Sequence, residues 1–489
     1  MSSVTIVATI VAYIAVLFTV AWLTSRGNNS ASFFTGGRNT PRGVAAIAMV
    51  GAAMSGVTYI SVPGTVAADG FSYLQTTLGF FVGYIVIAFV LIPLYYRMGV
   101  VSLYEYLDKR FNITAQRTGA WLFFISKLLS ASLRAFVICA ALQGLLYERW
   151  GIPFWANALI MMTLVWLYTR RGGVKAVVWV EMIKTILMVS SIVLCIAFVI
   201  KALGLNICEA LTTIHQSDYS QIFFVDNPLD RRYFWKQFIA GIFLVVAMTG
   251  LDQDMMQTML SCRSQHDAQR SMMQSIVIQV VVITLFLSLG ALLYIFIDSR
   301  GLSIEHGDDL FGFVTTECGL PLVVGVAFLL GLVASTYSSA GSALTALTTS
   351  FSIDILGANR RYDNTTDEGN DKIARVRRSV HVAIAVAMCG TIMVFDRWSS
   401  VGVITLIFTM ASYTYGPLLG MFAFGLMSKR SVRKWAMPAV AIASPTLSYI
   451  IANHSEAWFG GYTFSYEILI VNALITIIGL FAFSSKGQK

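Results

Sequence analysis

Residues 43–64 read GVAAIAMVGAAMSGVTYISVPG, an apolar stretch that is interrupted near its middle. About 20 apolar residues are enough to cross the hydrocarbon core of a bilayer as a helix. The interruption contains Gly51, Ser55 and Gly56, and Pro63 and Gly64 follow it. Since glycine and proline weaken a helix, the stretch predicts a membrane-spanning helix that is broken at mid-membrane.

A second interrupted stretch, FIAGIFLVVAMTGLDQD at residues 238–254, lies five predicted spans later and contains Gly241, Thr249 and Gly250. Many transporters consist of two inverted repeats whose first helices are broken, because unwound carbonyls and half-helix ends can hold an ion and a substrate. The matched spacing predicts such a repeat. Ordinary kinked helices, which are common in membrane proteins, remain the alternative.

The composition excludes a soluble domain. Of 489 residues, 57% are hydrophobic and 12% are charged, whereas a soluble domain has about 25% charged residues. We predict an all-α polytopic membrane protein, one membrane domain over residues 1–489, with about thirteen transmembrane helices at 3–24, 43–69, 73–97, 118–147, 153–169, 176–200, 233–251, 272–297, 319–352, 380–395, 399–427, 435–453 and 463–484.

The net charge of +9 does not indicate a nucleic-acid partner, because the Lys and Arg residues are distributed according to the two sides of the membrane. Alternate loops hold 24 of the 34 Lys and Arg residues, and the opposite loops hold seven. Cytoplasmic loops are enriched in Lys and Arg, which predicts an outside N-terminus and a cytoplasmic C-terminus. The first apolar segment is followed by Arg26 and has no basic residue before it, so we expect a retained helix.

The ninth span is rich in hydroxyl groups. Ser335, Ser338, Ser339 and Ser342 follow the spacing i, i+3, i+4, i+7 and therefore share one helical face. Hydroxyl oxygens are hard ligands that suit a small hard cation. Close helix packing through small residues is an equally plain explanation of the pattern.

Four charged residues lie inside predicted spans, where charge is costly and marks functional candidates. Lys127 and Arg134 are seven residues apart on one face of span four. Glu181 and Lys184 stand at i, i+3 on span six and can form an ion pair. A static salt bridge, or an arginine that only ties helix ends, is the structural alternative.

Five motifs resemble the sodium:solute symporter family in order and spacing: FFTGGRNTP (33–41), SLYEYLDKRF (102–111), YTRRGGVKAVVWVEMIK (168–184), DQDMMQ (252–257) and SSAGSALTALTTSFSIDIL (338–356). The resemblance implies a leucine-transporter-like five-plus-five inverted repeat that works by sodium-driven alternating access. It divides the chain into an extra N-terminal helix (3–24), a first repeat (43–200), a second repeat (233–427) and two C-terminal helices (435–484).

By position, the resemblance implies a sodium site between the first broken helix and span nine. The carbonyls of Gly51, Met54 and Ser335 and the hydroxyls of Ser338 and Ser339 would be its ligands.

Some relatives of the sialic acid symporter have a second sodium site, which would correspond here to Gly341, Ser342 and Glu181. Gly341 has no hydroxyl, and Lys184 stands where many members have glutamine. We therefore expect Lys184 to replace a second sodium ion, with Glu181 either pairing with it or moving a proton.

The resemblance also implies the substrate contacts Ser55, Thr58 and Thr77, with Gln75 nearby and Arg134 at the position that holds a carboxylate. Arginine suits a carboxylate because its planar fork makes two charge-assisted hydrogen bonds. The expected solute is a carboxylate-bearing sugar such as sialic acid. Neutral sugars, polyols and amino acids remain open.

Other classes of function have little support in the sequence. The five histidines are dispersed and form no catalytic or metal-binding pattern, so we expect no enzyme and no cofactor, with Na⁺ the only metal ion. A channel or a sensor stays as the alternative from a different class. The expected partners are the solute, sodium and the lipid bilayer, and the expected state is a monomer in a bacterial inner membrane.

Overall fold

The computed structural model describes residues 3–25, 34, 36–363, 366–398 and 403–485. Arg26, Lys486 and Lys489, which entered the charge count, and Phe33 and Thr35 of the first motif lie outside the described residues.

The described chain is almost entirely helical. Its α-helices are α1 Ser3–Ser25, α2 Arg42–Ala53, α3 Gly56–Gly64, α4 Val66–Asp69, α5 Tyr73–Val86, α6 Ile92–Met98, α7 Glu105–Arg110, α8 Ile113–Leu142, α9 Phe154–Ala202, α10 Ile207–Gln216, α11 Phe234–Val245, α12 Gln253–Leu260, α13 Gln265–Ser299, α14 Leu310–Glu317, α15 Leu322–Ser350, α16 Ala358–Arg361, α17 Asp367–Trp398, α18 Val403–Met427, α19 Ala436–Trp458 and α20 Ile468–Ala482.

Shorter elements join and extend these helices. The π-turns are Ile87–Leu91, Gln143–Tyr147, Val246–Gly250 and Phe351–Ile355, and the 3₁₀ turns are Gly36–Arg38, Glu148–Trp150, Asp218–Ser220 and Gly307–Asp309. Two short antiparallel strands, β1 Ser431–Val432 and β2 Ser484–Ser485, pair with each other.

Each of the thirteen predicted spans falls on helix within the described residues; residues 399–402, the start of the predicted span 399–427, lie outside them. Within the described residues, eight helices are long and apolar enough to cross a membrane, and the count rises to ten when each of two bent pairs is taken as one span. The count of thirteen therefore stays a prediction. Spans five and six form α9, which is broken at Gly173, where φ is 55° and ψ is −153°.

Both predicted helix breaks are present. Helices α2 and α3 meet at an angle of 59°, and the segment 234–250 meets α12 at 68°. In the first break Met54 and Ser55 have extended backbones, and in the second Asp252 does. The glycines and hydroxyl residues of the sequence pattern thus mark the places where the backbone leaves the helix.

The loops that the charge pattern groups together also meet in space. At one end Arg38 donates to Val100 O at 3.5 Å, Arg110 Nε donates to Gly425 O at 3.0 Å, and Arg360 pairs with Asp108 at 2.7 Å. At the other end Arg231 pairs with Asp69 at 2.5 Å. The fold therefore separates the two predicted sets of loops, whereas which set is cytoplasmic stays a prediction.

The centre of the fold is formed by the broken helices and their neighbours. Helix α9 packs on α2 and α15, and α8 lies between α15 and α18. Most of α15 is buried, including its serine-rich face. This packing brings the first broken helix, the serines of α15 and the charged residues of α8 and α9 toward one region.

Candidate transport site

A cavity of about 90 Å³ lies beside the two helix breaks. It is lined by residues 53, 55, 57, 58, 73, 80, 84, 127, 130, 134, 244, 245, 248, 249, 252, 255, 279, 407, 408, 411 and 415. Because polar and aromatic side chains from both helix breaks and from α8 meet on its wall, it is the candidate site for a small organic solute.

Three of the five predicted substrate residues line this cavity. Ser55 lies at the start of α3, where its backbone N–H donates to Thr58 Oγ1 at 3.3 Å. Arg134 reaches the cavity from α8 and also lines a smaller neighbouring cavity that extends to Ser335 and Ser339.

Gln75 and Thr77, the other two predicted substrate residues, are not among the lining residues of this cavity. The Gln75 amide donates to Arg232 O at 2.8 Å and accepts from Phe224 N at 3.2 Å, so it ties α5 to the loop before α11. Thr77 is buried and donates to Tyr73 O, one turn earlier on its own helix, at 2.8 Å. Neither side chain lines the cavity.

Arg134 has no ion-pair or hydrogen-bond partner among the described residues, and its Nε is buried. Arg134 is half-buried, and a guanidinium whose buried Nε has no partner in the described part of the chain is a candidate for binding an anion. Its position on the cavity wall gives a carboxylate direct access to it.

Lys127 is held by two aspartates that the sequence did not place in the site. Its Nζ lies 3.2 Å from Asp252 Oδ2 and 2.7 Å from Asp254 Oδ2, and Tyr415 O–H donates to Asp252 Oδ2 at 2.6 Å. All three charged side chains are buried. The cluster ties α8 and α18 to the second helix break, and it neutralises Lys127 while Arg134 stays unpaired.

The DQD motif carried the only sequence signal for this cluster. Asp252 and Asp254 stand at the end of the interrupted seventh span, and Asp252 caps α12 by accepting from Asp254 N at 2.8 Å. In the structure both carboxylates lie beside the helix break, where they pair with Lys127. The predicted span ended at residue 251 and so left them out.

The predicted sodium ligands lie close together on α15 but differ in their contacts. Ser335 Oγ donates to Gly331 O at 2.7 Å, which leaves its carbonyl as the predicted ligand. The buried Ser338 Oγ has no hydrogen-bond partner in the described part of the chain. Ser339 Oγ accepts from Lys184 Nζ at 3.2 Å. The Ser338 hydroxyl is thus available to bind a cation, whereas the Ser339 hydroxyl already contacts the ammonium group of Lys184.

Glu181 and Lys184 form a fully buried ion pair. The distance between Lys184 Nζ and Glu181 Oε2 is 2.5 Å, and neither side chain is exposed. Gly51 packs directly against Glu181 and Thr185, since a Cβ at position 51 would lie 3.0 Å from Glu181 Oε2 and 2.3 Å from Thr185 Oγ1. Only glycine fits there, and its close approach brings the first broken helix to the ion pair.

Of the predicted second ion set, Glu181 and Lys184 are paired, whereas the Ser342 hydroxyl has other hydrogen-bond partners. Ser342 Oγ donates to Asp254 Oδ2 at 3.3 Å and to Ser339 O at 3.1 Å, so its hydroxyl turns toward the Lys127 cluster. At position 341 a Cβ would lie 1.5 Å from the Tyr168 hydroxyl. Glycine at position 341 therefore provides space for Tyr168. This packing explains why no serine stands at that position.

A family model for the sodium:solute symporters matches residues 33–442. The chain belongs to the sodium:solute symporter family. Because this is a family of transporters, the prediction that the chain is not an enzyme is confirmed. The family resemblance drawn from the five motifs is confirmed as well.

Two solved structures resemble this symporter-family chain in fold. A Na⁺-coupled sialic acid symporter, in a substrate-bound outward-open state, matches with a TM-score of 0.81 and 18% identity over 99% of each chain. A nucleobase-cation-symport-1 transporter with bound bromovinylhydantoin matches with a TM-score of 0.59 and 12% identity over 92% of this chain and 93% of its own. The likeness confirms an all-helical membrane protein with the leucine-transporter-like fold. The repeat boundaries stay predictions.

Curated relatives of this symporter-family chain transport different anions by name. The human sodium/iodide cotransporter is 24% identical over 82% of this chain and 62% of its own length. The mouse sodium-coupled monocarboxylate transporter 1 is 25% identical over 81% of this chain and 64% of its own. The chain thus spans less than two thirds of the length of these relatives.

Proposed function

We propose that this protein is a sodium-coupled symporter that takes up a small organic anion bearing a carboxylate, by alternating access. One observation carries the choice of substrate class: the unpartnered guanidinium of Arg134 on the wall of the central cavity. Lys127 contributes no free positive charge there, because Asp252 and Asp254 pair with it. A carboxylate would give Arg134 the bidentate partner that the described residues do not supply.

The sodium part of the proposal rests on the first helix break and α15. The extended backbone at Met54 and Ser55 releases carbonyl groups from the helix, and Ser338 offers a buried hydroxyl. Backbone carbonyls and hydroxyls are hard oxygen ligands. We assign Gly51, Met54, Ser335, Ser338 and Ser339 to this site as the ligands that the family resemblance implies.

The lining of the cavity favours a sugar acid within the carboxylate class. Tyr73, Phe80, Tyr84, Phe408 and Tyr415 supply ring surfaces, while Ser55 and Thr58 supply hydroxyls beside Arg134. Rings that pack on apolar faces and hydroxyls that exchange hydrogen bonds suit a monosaccharide with one carboxylate. A sialic acid and a simple monocarboxylate are the two solutes to compare first, since relatives of the chain are named for each.

Uptake into proteoliposomes tests the proposal. Vesicles with the protein should accumulate N-acetylneuraminate or a monocarboxylate such as pyruvate or lactate when a sodium gradient points inward, and should lose this uptake when sodium is replaced by choline. Glucose and neutral amino acids serve as neutral comparisons. Sodium-driven uptake of neutral solutes alone would reject the carboxylate. Flux without any dependence on sodium would favour a channel, and no flux at all would favour a sensor.

The orientation belongs to the same proposal. We place the N-terminus outside and the C-terminus in the cytoplasm of a bacterial inner membrane, with the monomer as the transporting unit. The excess of Lys and Arg in one set of loops, some of which contact one another, supports this topology.

A further inference from the structure

Lys184 contacts a residue of the proposed sodium site. Its ammonium donates to Ser339 Oγ at 3.2 Å while it lies 2.5 Å from Glu181 Oε2. Both charged side chains are completely buried. The sequence places Lys184 in a second ion site, but the contact with Ser339 connects it to the first.

The surroundings of this ammonium have unused ligand capacity. Ser338 Oγ and Glu181 Oε1 are both buried, and neither has a hydrogen-bond partner among the described residues. Buried polar atoms without partners are rare and call for an explanation such as a bound ion. A cation that binds Ser338 and a displaced ammonium that turns to Glu181 Oε1 would use both atoms.

We propose that Lys184 is a tethered cation that competes with sodium for Ser339, and that Glu181 holds the ammonium when sodium displaces it. Two positive charges at such short range repel strongly in a buried, poorly screened site. The lysine stem is flexible, so the ammonium can leave Ser339 without movement of the backbone. The inference rests on the sodium site of the proposed function and adds that the Glu181–Lys184 pair weakens the affinity of this site for sodium.

The competition predicts the effect of removing the pair. Lys184→Met alone would leave the Glu181 carboxylate unpaired, and that charge would attract sodium for a trivial reason. Glu181→Gln combined with Lys184→Met removes one charge of each sign, so the net charge of the protein is unchanged. The concentration of sodium that gives half of the full effect should fall at least about tenfold in this double variant.

The experiment measures binding of sodium alone. Purified protein is titrated with NaCl at constant ionic strength, with choline chloride as the replacement salt, and the thermal unfolding midpoint is followed by tryptophan fluorescence. An ion that binds the folded state raises this midpoint by mass action. The readout requires no solute and no transport.

A matched control removes another Glu–Lys pair. Glu368 and Lys372 form an ion pair of 2.7 Å on the exposed surface of α17. The variant Glu368→Gln combined with Lys372→Met makes the same two substitutions away from Ser339, and its sodium titration should match that of the unchanged protein. If the first double variant does not fold, Glu181→Gln with Lys184→Gln takes its place, because two amides can hydrogen-bond each other.

The outcomes separate the inference from the proposed function. A tenfold fall in the half-saturating sodium concentration supports the competition. A value within twofold of the unchanged protein, or a higher one, overturns it and leaves sodium coupling intact. If sodium stabilises only the double variant, Lys184 excludes sodium from the site in the unchanged protein. That result supports the competition and rejects the sodium coupling of the proposed function. If sodium stabilises neither protein, both ideas are wrong.

Discussion

The hydroxyl of Tyr168 occupies the space that a side chain at position 341 would need. It donates to Tyr337 O at 2.7 Å, and a Cβ on Gly341 would lie only 1.5 Å from the Tyr168 oxygen. Helix α15 and the first half of α9 are therefore locked together at this point. A serine that could complete a second ion site does not fit here unless Tyr168 moves.

Gly341→Ser should accordingly destabilise the protein. Overpacking of a tightly packed interior costs about 1–3 kcal/mol, so the thermal unfolding midpoint should fall clearly below that of the unchanged protein. Tyr168→Leu in the same chain should recover part of the loss, since it removes the clashing atoms. Gly390→Ser is the control, because the structure places no described atom within 4 Å of a Cβ there. Equal midpoints for Gly341→Ser and Gly390→Ser would contradict the packing argument.

Arg134→Lys should weaken binding of the solute while sodium binding persists. Lysine keeps the positive charge but lacks the bidentate fork, and loss of a hydrogen bond to a charged group costs about 1.5–3 kcal/mol. This corresponds to roughly a tenfold or greater rise in the solute concentration for half-maximal uptake. Arg300→Lys, at the end of α13, is the matched control. If Arg134→Lys transports with unchanged affinity, the arginine is structural.

Ser338→Ala should raise the sodium concentration required for half-maximal uptake. The substitution removes a hard ligand but leaves no other group unpaired, because the Ser338 hydroxyl has no partner in the described residues. Folding should thus be little affected, and sodium-dependent uptake measures the change directly. Ser339→Ala should act in the same direction, although it also releases Lys184. Ser352, another buried serine without a hydrogen-bond partner in the described chain, provides the control Ser352→Ala. Unaltered sodium dependence in both site variants would remove these serines from the site.

Lys127→Met should be strongly destabilising. It leaves two buried carboxylates without their cation, and breaking a buried ion pair from one side costs about 3–5 kcal/mol. Adding Asp254→Asn should recover much of the stability, since Asp252 keeps the hydrogen bond from Tyr415 and its capping role. Thermal unfolding of the two single variants and the double variant forms the thermodynamic cycle. Additive losses would show that Lys127 and Asp254 act independently, against the geometry seen here.

The ratio of sodium to solute should be one. Gly341 supplies no ligand, Ser342 turns toward Asp254, and Lys184 already provides a cation beside Glu181. The membrane voltage that balances a known solute gradient in liposomes depends on the number of sodium ions moved, so reversal potentials give the ratio. A ratio of two would reject the prediction. The double variant Lys184→Gln with Gly341→Ser would test whether a second ion can be added. It is informative only if Tyr168 is also replaced by a smaller residue, because a serine at position 341 clashes with the Tyr168 hydroxyl.

The sequence by itself determined the class of protein, the two helix breaks and the family. Long apolar runs can only be membrane helices in a chain of this composition, and glycine, serine and proline inside such runs mark where the backbone cannot stay helical. Helical periodicity also grouped the serines of α15, and the motif positions led to Ser55, Thr58 and Arg134, which line the cavity.

The tertiary structure decided which of these side chains meet. Gln75 and Thr77 belong to α5, but the Gln75 side chain bonds to the loop before α11 and the Thr77 side chain bonds to its own helix. Asp252 and Asp254 pair with Lys127, although Asp252 is 125 residues away from it in the sequence. Lys184 reaches Ser339 on a helix that follows much later. Periodicity fixes the face of one helix on which a residue lies, whereas the packing of different helices sets the distance between two such faces, and local sequence does not contain that distance.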